Sequence, residues 1–189
     1  FVDQALENGA VPVLSDSVAT RSGVAWLKSA HPRATMAEIA AIVHGRPSEK
    51  LRVMGVTGTN GKTTTAFLAH YLLKCAYRRA GLLGTVLYSD GLEESKATHT
   101  TPESPELQEL LARMVDNQCG AVAMEVSSHA LSQHRADAVE FDAAVFSNLT
   151  QDHLDFHGTM EAYFKAKERF FELAASQTGK EAQASVNIG

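Results

Sequence analysis

Leu51-Arg52-Val53-Met54-Gly55-Val56-Thr57-Gly58-Thr59-Asn60-Gly61-Lys62-Thr63-Thr64-Thr65 is the stretch whose reading decides the fold. Leu51 to Val56 is a run of the kind that makes a buried strand. TTTAFLAHYLLKCAYRRA, which follows the loop, reads as an amphipathic helix from Lys62 to Ala80 ended by Gly81. A glycine-rich loop between a strand and a helix lets backbone N–H groups converge on phosphate oxygens, and the helix start adds positive potential. Gly58 and Gly61 permit the close approach. Lys62 would reach the terminal phosphates of a nucleotide, and the Thr63 hydroxyl would take one position on a magnesium ion. The strict pattern G-x-x-x-x-G-K-[ST] is not met, because Val56 stands where its first glycine would be. The shorter G-x-x-G-K-T is met, and its strand-loop-helix context predicts a phosphate site formed by Gly58, Thr59, Asn60, Gly61, Lys62, Thr63 and Thr64.

Downstream, the alternation continues: a strand over Leu82 to Tyr88, a polar loop, a helix from Pro105 to Asn117, strands over Ala121 to Val126 and Ala143 to Leu149, and a helix from Met160 to Ala174. Strands alternating with helices at this spacing predict an α/β fold with a parallel sheet and right-handed crossovers. Upstream lie a short helix-like piece, the apolar Ala10-Val11-Pro12-Val13-Leu14, and a helix over Thr35 to Val43, with Thr35 and Glu38 spaced as a capping box. Gly45 to Lys50 is turn-rich and is the best boundary, dividing the chain into residues 1–48 and 49–189. The chain starts at Phe1 without methionine, and Ala184 to Ile188 has only begun to look like a strand where it stops. It therefore reads as part of a longer protein.

The chain has 189 residues, 44% of them hydrophobic, enough for one full core and part of another. A net charge of -5 without a basic run offers no footprint for nucleic acid. No apolar stretch is long enough to span a bilayer, and FVDQALENGA lacks the features of a signal peptide, so the expectation is a cytoplasmic protein. Cys75 and Cys119 fit no metal or disulfide framework and read as reduced thiols.

Three side chains beyond the loop suggest chemistry. Glu125 ends an apolar strand, where an uncompensated carboxylate is costly, so a cation partner is expected; the alternative is a strand end facing water. Lys167 falls in a helical stripe with Met160, Phe164, Phe171 and Ala174, whereas Lys165 points elsewhere. A desolvated lysine has its ammonium form disfavoured and becomes a nucleophilic amine; the alternative is a lysine snorkelling from the helix edge. His153 pairs with His157 as half of a zinc site that nothing nearby completes, or is a loop histidine, or contacts metal or phosphate. In an open parallel sheet, the loops after the strands share one edge. The phosphate loop, Glu125 to His129 and Asn148 to His153 should therefore form one site.

Further motifs give the resemblance. GVTGTNGKTTT resembles the phosphate loop of the Mur ligases, which build the peptide stem of bacterial cell-wall precursors. THTTP (Thr98 to Pro102), MEVSSHALSQHR (Met124 to Arg135), SNLTQDHLDFHGTMEAYF (Ser147 to Phe164) and Lys167 resemble the branch that adds the third peptide residue. The resemblance implies a P-loop ATPase central domain over 49–189, incomplete at its C-terminus, preceded by the remnant of a smaller α/β UDP-binding domain. It implies a monomeric ligase using ATP and magnesium, with UDP-MurNAc-L-Ala-D-Glu and an amino acid as substrates. meso-Diaminopimelate is preferred to L-lysine only because it is the commoner. Catalytic roles fall to Lys62, Glu125, His153 and a carbamylated Lys167; Thr63, Glu125, His153 and Lys167 would hold metal. Thr100, Thr101, Ser127, Gln133 and Arg135 would contact the muramoyl-dipeptide, and His99, His129 and His134 receive no catalytic role.

The implied reaction is acyl phosphate formation followed by aminolysis, and this stretch alone is expected not to complete it. The competing readings are another Mur ligase, a folylpolyglutamate synthetase, or a non-catalytic nucleotide-binding module. A switch GTPase would need an N-K-x-D motif, which the sequence lacks.

Overall fold

The computed structural model of the chain describes residues 2–17 and 23–187. In chain order the elements are α1 (Val2–Glu7), β1 (Pro12–Ser15), β2 (Ala25–Lys28), α2 (Pro32–Val43), a 3-10 turn (Pro47–Lys50), β3 (Arg52–Thr57), α3 (Lys62–Ala76), β4 (Ala80–Leu83), β5 (Leu87–Ser89), β6 (Glu94–Lys96), α4 (Ser104–Asp116), β7 (Ala121–Glu125), α5 (Ser128–Ser132), β8 (Ala143–Phe146), α6 (Leu154–His157), α7 (Met160–Ser176) and β9 (Gln183–Val186). Ile188, expected in the last strand, lies outside the described residues.

Among the described residues the main sheet has the order β6-β5-β4-β7-β3-β8-β9. β4, β7, β3, β8 and β9 run parallel, while β5 and β6 add an antiparallel edge. β1 and β2 form a separate parallel pair. β7 is buried along its whole length, as expected of a strand covered on both faces. Val122 and Met124 join the core beneath α4 and α7, whose Leu107, Leu111, Met114 and Phe170 fill that face. Ala123 turns the other way, onto Ala66 and Ala69 of α3. This period of two brings helices to both sides of one sheet.

Several expected elements need correction. α3 ends at Ala76, and Ala80 and Gly81 belong to β4, where burial beside β7 outweighs continuing the helix. The strand expected over Leu82 to Tyr88 is two strands, because Gly84 N–H closes a turn onto the Leu87 carbonyl at 3.3 Å. The short helices α5 and α6 were not anticipated. α2 starts earlier than expected, with Pro32 in its first turn, so Thr35 lies inside the helix and bonds Ser29 Oγ at 2.6 Å instead of forming a capping box. α2 packs on α4 through a face that includes Ala37 and Ala41, both fully buried.

The stripe on α7 is also shifted in phase. Its buried residues are Tyr163, Lys167, Phe170 and Ala174. Lys167 is where the periodicity put it, but Tyr163 and Phe170 replace Phe164 and Phe171 as its neighbours. Phe170 is drawn in by Phe141, whose ring centroid lies 4.8 Å away in an edge-on contact.

Candidate active site

The loops after β3, β4, β7 and β8 open on one edge of the sheet, around a cavity of about 540 Å³. Its lining includes Thr59 to Thr64 from the phosphate loop, Glu125, His153 and Lys167, together with Thr100, Thr101, Ser127 and Arg135. Gly58 and Gln133 do not line it.

The loop is held from behind by the end of β8. Thr59 and Asn60 donate their backbone N–H groups to the carbonyl and Oδ1 of Asn148 at 2.9 and 3.0 Å. The Ser147 hydroxyl donates to the Asn60 carbonyl at 2.7 Å. Gly58 has a φ of 138°, and a Cβ there would collide with Ser147, so only glycine fits. α3 begins directly after Gly61 with no side-chain cap. Its first N–H groups therefore lack intrahelical acceptors and carry the positive end of the helix.

Lys62 folds back and donates from Nζ to the carbonyls of Gly58 and Thr59 at 3.0 and 2.8 Å. Burial lowers its pKa from the ordinary lysine value. The Lys167 ammonium meets the same Gly58 carbonyl at 2.7 Å and lies 4.4 Å from the Tyr163 ring centroid. No carboxylate pairs with it among the described residues, and the side chain is 1% exposed. Burial, with Lys62 adding repulsion, lowers its pKa to about 7. Lys165, on the same helix, reaches Glu161 at 3.3 Å in solvent.

Glu125 is 1% exposed and has three donors around it. Thr63 Oγ1 donates to Oε2 at 3.0 Å, Thr85 N–H donates to Oε1 at 2.9 Å, and Thr85 Oγ1 donates to Oε2 at 3.2 Å. A Cβ at Gly84 would stand 2.5 Å from Oε1, so the close passage of that turn requires glycine. Thr85 and Gly84 were missed because their contact with Glu125 crosses between strands; the glycine inside an expected strand was the available signal. Tyr163 was also missed. Its hydroxyl lies 3.1 Å from Thr59 Oγ1 and ties α7 to the loop.

The hydroxyls of Thr63 and Thr85 and the carboxylate of Glu125 form an oxygen-rich corner, which suits a hard cation such as magnesium. His153 lines the same cavity from left-handed backbone, with φ of 51°. Its ring meets His129 edge-on at 4.8 Å. His129 and His157 both have lowered pKa values, burial being the first cause and neighbouring histidine charge the second. His157 Nε2 lies 2.9 Å from Ser128 Oγ.

On the facing wall, Thr101 is fully buried and donates to the Glu125 carbonyl at 2.8 Å. Ser127 caps α5, accepting Ala130 N–H at 3.1 Å. Thr100 Oγ1 lies 3.0 Å from Thr85 Oγ1. Gln133 Oε1 accepts from Arg135 Nε and Nη2 at 3.0 and 2.6 Å.

The Mur ligase middle domain matches residues 56–186. The chain is 46% identical over 187 residues to the UDP-N-acetylmuramoyl-L-alanyl-D-glutamate--2,6-diaminopimelate ligase of Geobacter sulfurreducens, covering 98% of this chain and 37% of that protein. A solved structure of an enzyme with that name aligns at TM-score 0.77 and 33% identity, over 90% of this chain and 34% of the other. A MurF ligase from Thermotoga maritima in complex with ADP shares the fold at TM-score 0.58 and 22% identity, over 98% of this chain and 39% of that one. The chain thus spans little more than a third of these relatives. With most of its length inside the family match, it belongs to the Mur ligase family and carries that family's middle domain.

Proposed function

We propose that the protein carrying this chain is an ATP-dependent, ADP-forming ligase that joins 2,6-diaminopimelate, in its meso form, to UDP-MurNAc-L-Ala-D-Glu in peptidoglycan synthesis. The observation that carries the reading is that the phosphate loop, the buried Glu125 and the Arg135 wall share one cavity, in a chain close to diaminopimelate ligases along nearly its whole length. Residues 1–48 belong to a preceding UDP-binding domain and 49–189 to the ATPase domain. The protein is a cytoplasmic monomer; among the described residues no helix is long and apolar enough to cross a membrane.

A carboxylate oxygen of the substrate's D-glutamate side chain attacks the γ-phosphorus of ATP, and ADP leaves. The amine nitrogen of diaminopimelate then attacks the acyl carbon, loses a proton and expels phosphate. Lys62 exchanges its loop carbonyls for phosphate oxygens, and the N–H groups from Gly61 to Thr64 hold the phosphate chain in line. Thr63 and Glu125 would hold one magnesium ion, and His153 with a Lys167 carbamate a second. Bound magnesium neutralises charge on the transferring phosphoryl group. The carbamate forms when the neutral Lys167 amine attacks carbon dioxide and releases a proton, which its lowered pKa favours. Thr100, Thr101, Ser127 and Arg135, with Gln133 behind it, receive the muramoyl-dipeptide.

The test is turnover by the full-length protein with ATP, magnesium, UDP-MurNAc-L-Ala-D-Glu and either diaminopimelate or L-lysine, with products separated by chromatography. Tripeptide product with diaminopimelate is expected. Product only with lysine would overturn the amine assignment, and no product with either would overturn the ligase reading.

A further inference from the structure

Arg135 stands on the cavity wall with most of its hydrogen-bonding capacity already in use. A guanidinium carries five N–H donors. Nε and Nη2 donate to Gln133 Oε1, and Nη1 donates to the Thr101 carbonyl at 2.9 Å. Nη2 also meets Glu103 Oε1 at 2.9 Å. Three of the five N–H donors are thus hydrogen-bonded and Nη2 is also ion-paired with Glu103, which leaves an Nη1 hydrogen without a partner among the described residues.

The groups that fix Arg135 are themselves held from α2. Arg33 Nη2 donates to both oxygens of Glu103 at 3.1 Å, and Arg33 Nε donates to the Gln133 carbonyl at 3.1 Å. One side chain therefore grips both partners of Arg135, across sequence separations of 70 and 100 residues. Glu103 precedes α4 and Gln133 ends α5, so Arg33 ties together the ends of two helices.

We propose that Arg33 and Glu103 are positioning residues for substrate recognition: through Gln133 and directly, they hold the Arg135 guanidinium so that its remaining N–H points at an anionic oxygen of the muramoyl-dipeptide. The inference rests on the ligase reading above. An unrestrained guanidinium in a cavity that also receives a triphosphate would pair with phosphate through its fork. Glu103 offsets one of the two arginine charges and engages the edge of the fork that phosphate would take. A guanidinium fixed beforehand also loses little rotamer freedom when substrate arrives. The wall thus selects its anion by direction.

The test is steady-state kinetics of Glu103→Gln, Glu103→Ala, Arg33→Ala and Arg33→Lys in the full-length protein, varying the muramoyl-dipeptide and ATP separately. Glu103→Ala and Arg33→Ala should each raise KM for the muramoyl-dipeptide about tenfold while kcat and KM for ATP stay within about twofold. Arg33→Lys should not rescue, because an ammonium cannot reproduce a fork that grips two partners. The double variant Arg33→Ala/Glu103→Ala should be no worse than Glu103→Ala alone, as expected of residues that act as one unit. Glu103→Gln, close to the native shape, keeps the test open should the alanine variants fold poorly, and it should show the same KM split at unchanged Tm. An unchanged or lowered KM for the muramoyl-dipeptide, or equal losses for both substrates alongside a fall in Tm, would overturn the proposal. A wild-type protein that does not turn over the muramoyl-dipeptide would overturn the ligase reading and this inference with it.

Discussion

On the phosphate-loop wall, α3 starts without a side-chain cap and leaves its first N–H groups free of helical acceptors. On the facing wall, Arg135, Gln133, Thr101 and Ser127 are bonded to one another or to their own helix before any ligand arrives. On the proposed function, the first wall would bind phosphate charge by offering backbone donors and exchangeable lysine contacts. The second would bind by shape, with fixed side chains. One cavity would then combine a general anion cradle with a selective surface, as suits a ligase that must bring a nucleotide and one particular carboxylate together.

The largest expected effect lies on the first wall. Lys62→Ala should lower kcat for ADP formation by about 10³-fold, the scale of losing a key cation at a transferring phosphoryl group. Tm should change little, since the Lys62 ammonium hydrogen-bonds its own loop among the described residues. Near-normal kcat would remove the distinction between the walls.

Next comes Lys167. Lys167→Ala should cost at least about 10²-fold in kcat, and acetate or formate should restore part of it by supplying an anion. Lys165→Ala should be nearly silent, because Lys165 lies in solvent. Equal losses for the two would count against the carbamate. Thr85→Ala should cost about 10- to 100-fold, the range for a partner that orients a metal-binding side chain, and it should raise the magnesium concentration needed for half-maximal rate. An unshifted magnesium requirement would reduce Thr85 to a packing residue.

The smallest effect concerns stability. With its pKa lowered to about 7, buried Lys167 binds fewer protons in the folded state than in the unfolded one at pH values between that and the unfolded lysine value of about 10.4. The cost of burying its charge is therefore greatest at and below pH 7 and fades as pH rises toward 10. In buffer freed of carbon dioxide, Lys167→Met should raise Tm by a few degrees at pH 7, and the gain should shrink by pH 10. A constant gain across that range would mean that the amine is not held near neutrality.

The phosphate loop was legible in the sequence because its chemistry is local: two glycines, a lysine and a threonine at fixed spacing act through backbone geometry. Lys167 was legible for the same reason, as one position in a 3.6-residue period, although the phase of its neighbours was not. Phe164 and Phe170 are equally apolar, and partners reached through the tertiary fold, such as Phe141, decide which is buried. The facing wall was read by resemblance alone. Its bonds join Arg33 to Glu103 and to Gln133 across long separations, and on the other wall Glu125 meets Thr85 in the same way; no periodicity encodes such contacts. The turn at Gly84 was hidden inside an apolar run, where a strand and a tight reversal look alike.

The claim at the centre is that this cavity transfers the γ-phosphoryl group of ATP to a substrate carboxylate. UDP-MurNAc-L-Ala-D-Glu labelled with ¹⁸O in its glutamate side-chain carboxylate, incubated with the full-length protein, ATP, magnesium and diaminopimelate, tests it directly through mass spectrometry of the released phosphate. The mechanism requires that each phosphate carry one labelled oxygen, because the bridging oxygen of the acyl phosphate leaves with phosphorus when the amine attacks. Tripeptide formed with unlabelled phosphate would contradict it.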